Sequence, residues 1–234
     1  MSAPVLNLEA VRFDAVLFDC DGVLVDSESI TCGVLRDMLE EQGWSMTLQQ
    51  CMDFFIGKMV SDERQRIEHE TGKPFTQEWA AEFRARRNEA LETRIEAIPN
   101  IHTSVQQIFD AMQGRIACAS GADRFKVELM LGKVGLLKHF EGRIFSGHET
   151  PRSKPFPDVY LAAAAALGVS ATRCAVVEDT LVGLQAGIAA GATVFAYVPQ
   201  GDGQKFMDAG ASAVLHSMAD LPVLLASLGR SAQP

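Results

Sequence analysis

Short apolar runs recur along the chain, with helix-like segments between them. The runs fall at 15–18, 115–119, 144–146, 175–177, 193–197 and, more weakly, 213–215. Each is rich in β-branched or small residues. Their apolar residues run consecutively rather than alternating, the pattern of a strand covered on both faces. Helical segments occupy 104–112, 124–134, 158–167, 181–190 and 219–228. Strands and helices alternating at this spacing predict βαβ units, and so an α/β, Rossmann-like parallel sheet.

One stretch breaks the alternation. Between 27 and 98 no strand is expected, and four helical stretches stand there instead, at 28–41, 48–55, 62–70 and 77–97. Gly43, Gly57 and the Gly72-Lys73-Pro74 turn separate them. The expected organisation is a discontinuous α/β core, residues 1–26 and 99–234, with an all-helical cap domain inserted at 27–98. The chain crossings near Asp26 and Pro99 would serve as its hinge.

Composition narrows the classes of function. With 234 residues the chain can bury a sizeable core, and 47% apolar against 22% charged residues is ordinary globular usage. A net charge of −9 is the wrong sign for a general nucleic-acid binder, so an anionic substrate would need a local cation. Arg84, Arg86 and Arg87 share a helix with Glu82, Glu89, Glu92 and Glu96 and read as a solvated, ion-paired face. Five scattered cysteines without a CxxC pair fit neither a disulfide framework nor a zinc knuckle, and are expected as reduced, buried thiols. The opening MSAPVLNLEAVRFDAV lacks a basic start followed by a long apolar core, so no secretory leader is expected. LAAAAALGV is too short to span a bilayer. The expected setting is the cytoplasm, with no membrane or nucleic-acid partner, as a monomer or weak dimer.

In open parallel sheets, ligands bind beyond the carboxyl ends of the strands. Asp19, Asp21 and Gly22 follow the first run, and Ser120-Gly121 follow the second. Lys154 in SKPFPD lies past the third, and Glu178-Asp179 end the fourth. Any one of these is ordinary turn chemistry. Together they deliver four carboxylates, a hydroxyl and an ammonium to one edge. The carboxylates would repel one another strongly unless a cation intervened, and hard oxygen donors with few histidines favour Mg2+. A divalent cation, a lysine and hydroxyl and N–H donors make a receptor for a phosphoryl group. Gly183, Gly187 and Gly191 read as one close-packed helical face, and His139 and His148 as surface or packing residues.

FDCDGVLVDSE, ACASGA, SKPFPD and VVEDTLVGLQAG resemble the four ordered motifs of the haloacid dehalogenase-like hydrolase superfamily. The likeness runs from about 13 to 225. It falls in the capped branch that holds phosphatases and β-phosphoglucomutase, and is nearest in flavour to bacterial sugar-phosphate phosphatases, those acting on 6-phosphogluconate included. The resemblance implies Asp19 as the nucleophile that forms an aspartyl-phosphate, and Asp21 as the general acid and base. Ser120 and the N–H of Gly121 would hold phosphoryl oxygens, and Lys154 would offset charge between nucleophile and phosphate. Asp19, the main-chain carbonyl of Asp21, Glu178 and Asp179 would bind Mg2+, Glu178 directly or through water. In the cap, Gly57 and Lys58 would face a small phosphorylated substrate, with Lys58 able to reach a second anionic group.

Three rivals remain at this level. A dehalogenase would lack the second motif-one aspartate, which Asp21 supplies. A β-phosphoglucomutase carries a histidine where Thr31 stands and a phosphate-gripping arginine near Val60. A phospho-accepting signalling or binding module would share the acids, hydroxyl and lysine, but a general acid/base would discharge the aspartyl-phosphate that a switch must keep.

Overall fold

The computed structural model describes residues 13–228. Residues 1–12, on which the expectation about a leader rests, lie outside it. The elements run β1 (Ala15–Phe18), β2 (Val25–Asp26), α1 (Glu28–Glu40), α2 (Leu48–Phe55), α3 (Arg64–Thr71), α4 (Gln77–Arg94) and β3 (Glu96–Ala97). They continue α5 (Ile101–Ala111), β4 (Ile116–Ser120), α6 (Arg124–Lys133), β5 (Ile144–Ser146), α7 (Asp158–Ala166) and β6 (Cys174–Glu178). The last are α8 (Leu181–Ala189), β7 (Thr193–Tyr197), α9 (Gln204–Asp208), β8 (Ala213–Leu215) and α10 (Leu221–Leu228).

Six strands form one parallel sheet in the order β5-β4-β1-β6-β7-β8. The continuous apolar runs have the cause expected of them. Side chains alternate across a strand, and both faces of this sheet are covered. Val16 and Phe18 pack with Val105 of α5, Val127 of α6 and Leu221 of α10 on one face. Ala15, Leu17 and Val176 pack with Tyr160 of α7 and Leu184 of α8 on the other. Cys20 enters the first of these layers, as its place between Asp19 and Asp21 requires. All five cysteines are free and buried.

Helices α1–α4 have a hydrophobic cluster of their own, built on Leu35, Leu39, Cys51, Phe55, Ile67 and Phe83. The start of α2 is set by a capping box: Gln50 N donates to Thr47 Oγ1 at 3.2 Å and Thr47 N donates to Gln50 Oε1 at 2.9 Å. The expectation that 27–98 holds no strand is overturned. The helix read as 77–97 stops at Arg94, where Ile95 turns extended, and Glu96–Ala97 then pair antiparallel with Val25–Asp26. A two-residue strand has too few positions for a periodic signal. This ribbon holds the two chain crossings side by side. The short α9 is a further element without a clear pattern. Among the described residues no helix is long and apolar enough to cross a membrane.

The glycine stripe needs a correction too. Gly191 lies beyond α8, with φ +82°, and ends the helix rather than lining its face. Gly187 does pack closely: a Cβ there would lie 2.7 Å from Val194 Cγ2 and 3.2 Å from Val176 Cγ1. Gly33, inside α1, has nothing within 4 Å of that position. Gly33→Ala is therefore expected to stabilise the protein by about 1 kcal/mol through helix propensity. Gly187→Ala should cost about 1–3 kcal/mol, because the stiff valines must move. Urea unfolding of the two variants checks the opposite signs.

Candidate active site

Strand order reverses at β1, which has β4 on one side and β6 on the other, so β1 and β6 border the switch point where such sheets bind ligands. Asp19 stands just past β1, its N–H donating to Val177 O of β6 at 3.0 Å. Its Oδ1 accepts from Lys154 Nζ at 2.7 Å. The same ammonium donates to Glu178 Oε1 at 2.6 Å and sits 4.9 Å from the centroid of the Tyr160 ring. Lys154 is thus fixed between two buried carboxylates. Burial works against its charge, but Asp19 and Glu178 hold it well above the usual lysine range.

Glu178 is completely buried and fully engaged. Besides Lys154, Oε1 accepts from Tyr160 Oη at 2.5 Å. Oε2 accepts from Asp179 N at 3.2 Å and Thr180 Oγ1 at 3.2 Å. Thr180 also caps α8, accepting from Gly183 N at 3.1 Å. Gly183 has a local reason here: a Cβ would fall 1.8 Å from Glu178 Oε1.

Asp179 differs from its neighbour. Its Oδ1 is buried with no hydrogen-bond partner among the described residues. Burial, followed by Glu28, Asp19 and Glu178, pushes this carboxyl well above the ordinary range. Gly22, at φ +74°, lies against it so closely that a Cβ would fall 1.9 Å from Oδ2. Asp19, Glu178 and Asp179 can each offer one carboxylate oxygen, all within 4.8 Å of one another. Burial pushes Asp19 up to about 7, against the pull of Lys154 and with Glu178 and Asp21 adding to the rise.

Asp21 is held from another direction. Its Oδ1 accepts from Lys126 Nζ at 2.6 Å and from Ser27 Oγ. Burial opposes its charge, but Lys126 and Ser27 win and keep the carboxyl below its usual range. Ser120 ends β4, and its Oγ accepts from Ala122 N at 3.1 Å, which leaves its O–H free to donate.

Asp19, Asp21, Ser120, Gly121 and Lys154 line a cleft of about 530 Å³ that runs between the sheet edge and the helices α1–α4. Gly57 and Lys58 line it from the helical side. The Lys58 ammonium is paired with Glu63 at 3.1 Å and lies 4.1 Å from the centroid of the Phe54 ring. Glu178 and Asp179 do not line this cleft. Glu178 is sealed behind Lys154, and Asp179 opens onto a second cavity.

Several residues of the site carried no sequence signal. Lys126 and Tyr160 come from helices, and nothing in KVELM or DVYLA distinguishes them from packing residues. Arg87 overturns the reading of a solvated arginine face. Its side chain is only 9% exposed, and it pairs with Asp123 at 3.0 Å on the rim of the cleft. Arg86 does behave as expected, paired with Glu82 and Glu41 at 2.7 Å each. His139 is a packing residue, edge-on to Phe109, whereas His148 lines the cleft.

A profile of the haloacid dehalogenase-like hydrolase family matches residues 13–191. The 6-phosphogluconate phosphatase of Escherichia coli K12 is 30% identical over 185 residues, 79% of this chain and 82% of that protein. The fructose-1-phosphate phosphatase of the same organism is 26% identical over 182 residues, 77% and 94% of the two chains. Among solved structures, a hydrolase of this family from Deinococcus radiodurans, with bound phosphate and sodium, is 32% identical. It aligns at a TM-score of 0.76 over 94% of this chain and 97% of its own. A haloacid dehalogenase-like protein of unknown function from Agrobacterium tumefaciens is 30% identical, with a TM-score of 0.79 over 93% and 100%.

The raised carboxyls set a sign for stability. A buried acid whose folded pKa exceeds its unfolded value of about 3.9 binds more protons when folded, so stability falls as pH rises through that window. In EDTA the Tm is expected to drop between about pH 5 and pH 7.5. Mg2+ should reverse the drop, and Asp179→Asn should shrink it. Thermal scans at both pH values check this, and a Tm that rises with pH in EDTA would contradict it.

Proposed function

The chain belongs to the haloacid dehalogenase-like hydrolases, and from that premise we propose that it is a Mg2+-dependent phosphatase. Its substrate is a small phosphate monoester, a sugar phosphate or sugar-acid phosphate. The observation that carries this reading is the Asp19–Lys154–Glu178 bridge at the sheet's switch point, with Asp21 and Ser120 beside it on one cleft.

An Asp19 oxygen attacks phosphorus, the ester P–O bond breaks, and Asp21 gives its proton to the departing alkoxide. Water then attacks the aspartyl-phosphate, Asp21 takes a proton from it, and the bond between Asp19 and phosphorus breaks. Lys126 and Ser27 favour the ionised carboxylate of Asp21, the form this second half requires, and the proton it takes from that water is the one it gives to the alkoxide of the next turnover. Lys154 offsets the charge between nucleophile and phosphoryl group, and Ser120 Oγ–H and Gly121 N–H receive phosphoryl oxygens.

The oxygen-only donor set and the unpartnered Asp179 Oδ1 fit a hard divalent cation. Asp19, Asp179 and the main-chain carbonyl of Asp21 would hold Mg2+, which supplies charge neutralisation and orientation of the reacting oxygens. Glu178, with both oxygens occupied, would act by positioning Lys154 and Thr180. We assign residues 27–98 to a cap that closes the cleft over the substrate, hinged at the β2–β3 ribbon. Thr31 and Val60 both line the cleft, where a mutase would carry a histidine and a phosphate-gripping arginine, and the lack of both residue types favours hydrolysis. The discharging Asp21 and the helical cap likewise favour turnover over a signalling role.

Phosphate release from a panel of monoesters, measured with Mg2+ and with EDTA, tests the reading. Asp19→Asn should lower kcat by at least about a thousandfold, and Asp21→Asn by about 10²–10⁴. EDTA should silence the wild type. Release that survives Asp19→Asn would remove the nucleophile from this scheme. Lys58→Ala should raise KM for 6-phosphogluconate by about two- to fivefold, with less effect on glucose 6-phosphate, since its ammonium can leave Glu63 for an acidic leaving group. Equal effects on the two substrates would take Lys58 out of recognition.

A further inference from the structure

A second cavity, of about 590 Å³, lies behind the hinge. It is walled by the two chain crossings and by the loop after β7. Its lining includes Asp179 and Gly22, the pair pressed together at the back of the site. The two cavities differ in charge. Five cationic side chains and six carboxylates line the front cleft, which is close to balance. The rear cavity is lined by Asp26, Glu28, Asp179 and Asp202 against Lys205 alone. Glu28 borders both. Asp179 Oδ1, the buried carboxylate oxygen with no partner, thus belongs to a residue that faces the acidic rear space and not the front cleft.

An anionic substrate and a divalent cation need opposite potentials along their paths. A phosphorylated substrate in the front cleft would also block a cation coming from that side. We propose that the rear cavity is the access route for the divalent cation, which reaches Asp179 past Asp26 and Asp202 without crossing the substrate cleft. The proposal rests on the metal reading above. Asp26 is exposed, and Asp202 does no more than accept from Gln204 N at 3.0 Å, so neither is needed to build the site.

The test follows Tb3+, a hard oxygen-seeking cation, by stopped-flow luminescence. The chain has two tyrosines to sensitise it: Tyr160 is bonded to Glu178, and Tyr197 lines the rear cavity. The Asp26→Asn/Asp202→Asn variant should slow association about three- to tenfold at low ionic strength, an effect that fades in high salt. Dissociation should be unchanged. Lys205→Ala should speed association. Asp62→Asn, on the rim of the front cleft, should leave the rate as it was. Association that ignores the rear rim charges, or that slows as much in Asp62→Asn, would overturn the route. Asp179→Asn separates the two readings: loss of the Tb3+ signal supports the metal site whichever way the cation arrives, and an unchanged signal removes both.

Discussion

Lys154 lies 2.7 Å from Asp19 and 2.6 Å from Glu178, and much of the site follows from that bridge. Removing charges from water is costly unless each is paired and its remaining hydrogen-bonding capacity is used. Glu178 meets that demand completely, with Tyr160, Thr180 and the N–H of Asp179 taking up its other lone pairs. It is the fixed member of the group, and it fixes the lysine. Asp19 meets the demand only in part. One oxygen takes the lysine, and the carboxylate still faces the cleft, which is the condition a nucleophile needs. Around the sheet edge four carboxylates, Asp19, Asp21, Glu178 and Asp179, meet two buried ammonium groups, Lys126 and Lys154. The two negative charges left over are what one divalent cation offsets, and on the proposed reading Asp179, the acid without a partner, is where it binds.

Crowding of these carboxylates decides where the chain can tolerate a side chain. Gly22 and Gly183 are required for one reason at two places. At each, a Cβ would overlap a carboxylate, that of Asp179 in the first case and of Glu178 in the second. Gly22 also takes a left-handed conformation, and the turn around it is tied by Gly22 N to Val25 O at 2.8 Å. The chain therefore leaves β1, drops two carboxylates, turns tightly and enters the first hinge crossing within a few residues. The packing of the clustered acids and the entrance to the helical block are parts of one local structure.

The sheet was legible because β1, β4 and β6 are short, buried on both faces and carry a polar residue at or just past their carboxyl ends. Asp19, Ser120 and Glu178-Asp179 could be placed at one edge from the sequence for that reason alone. Lys154 was harder, since it comes from a loop, and its identity rested on the SKPFPD pattern. Lys126 and Arg87 were not legible. Lys126 reaches Asp21 across 105 residues of chain, and Arg87 reaches Asp123 across 36. Each lies on a helix with little amphipathic pattern, so nothing in the sequence marks an inward lysine or arginine or the polar group it will meet. The β2–β3 ribbon was missed because its signal is tertiary: four residues pair only because the two crossings are already adjacent.

Those two unread residues join the helical block to the chemistry. Arg87 of α4 grips Asp123 at 3.0 Å, and Asp123 caps α6 by accepting from Lys126 N at 2.9 Å. Lys126 then holds Asp21. Two ion pairs and one helix cap therefore link α4 to the carboxylate proposed to handle the proton, and all three are largely shielded from water, where such contacts are strongest. A displacement of α4 relative to the sheet acts on Asp21 through this chain of contacts, whereas Asp19 is anchored to β6 and Lys154 and does not share it. On the proposed reading the nucleophile is thus tied to the sheet, and its acid/base partner to the helices assigned to the cap. That division suits a reaction in which attack needs a fixed geometry and proton transfer should wait until the cleft is filled.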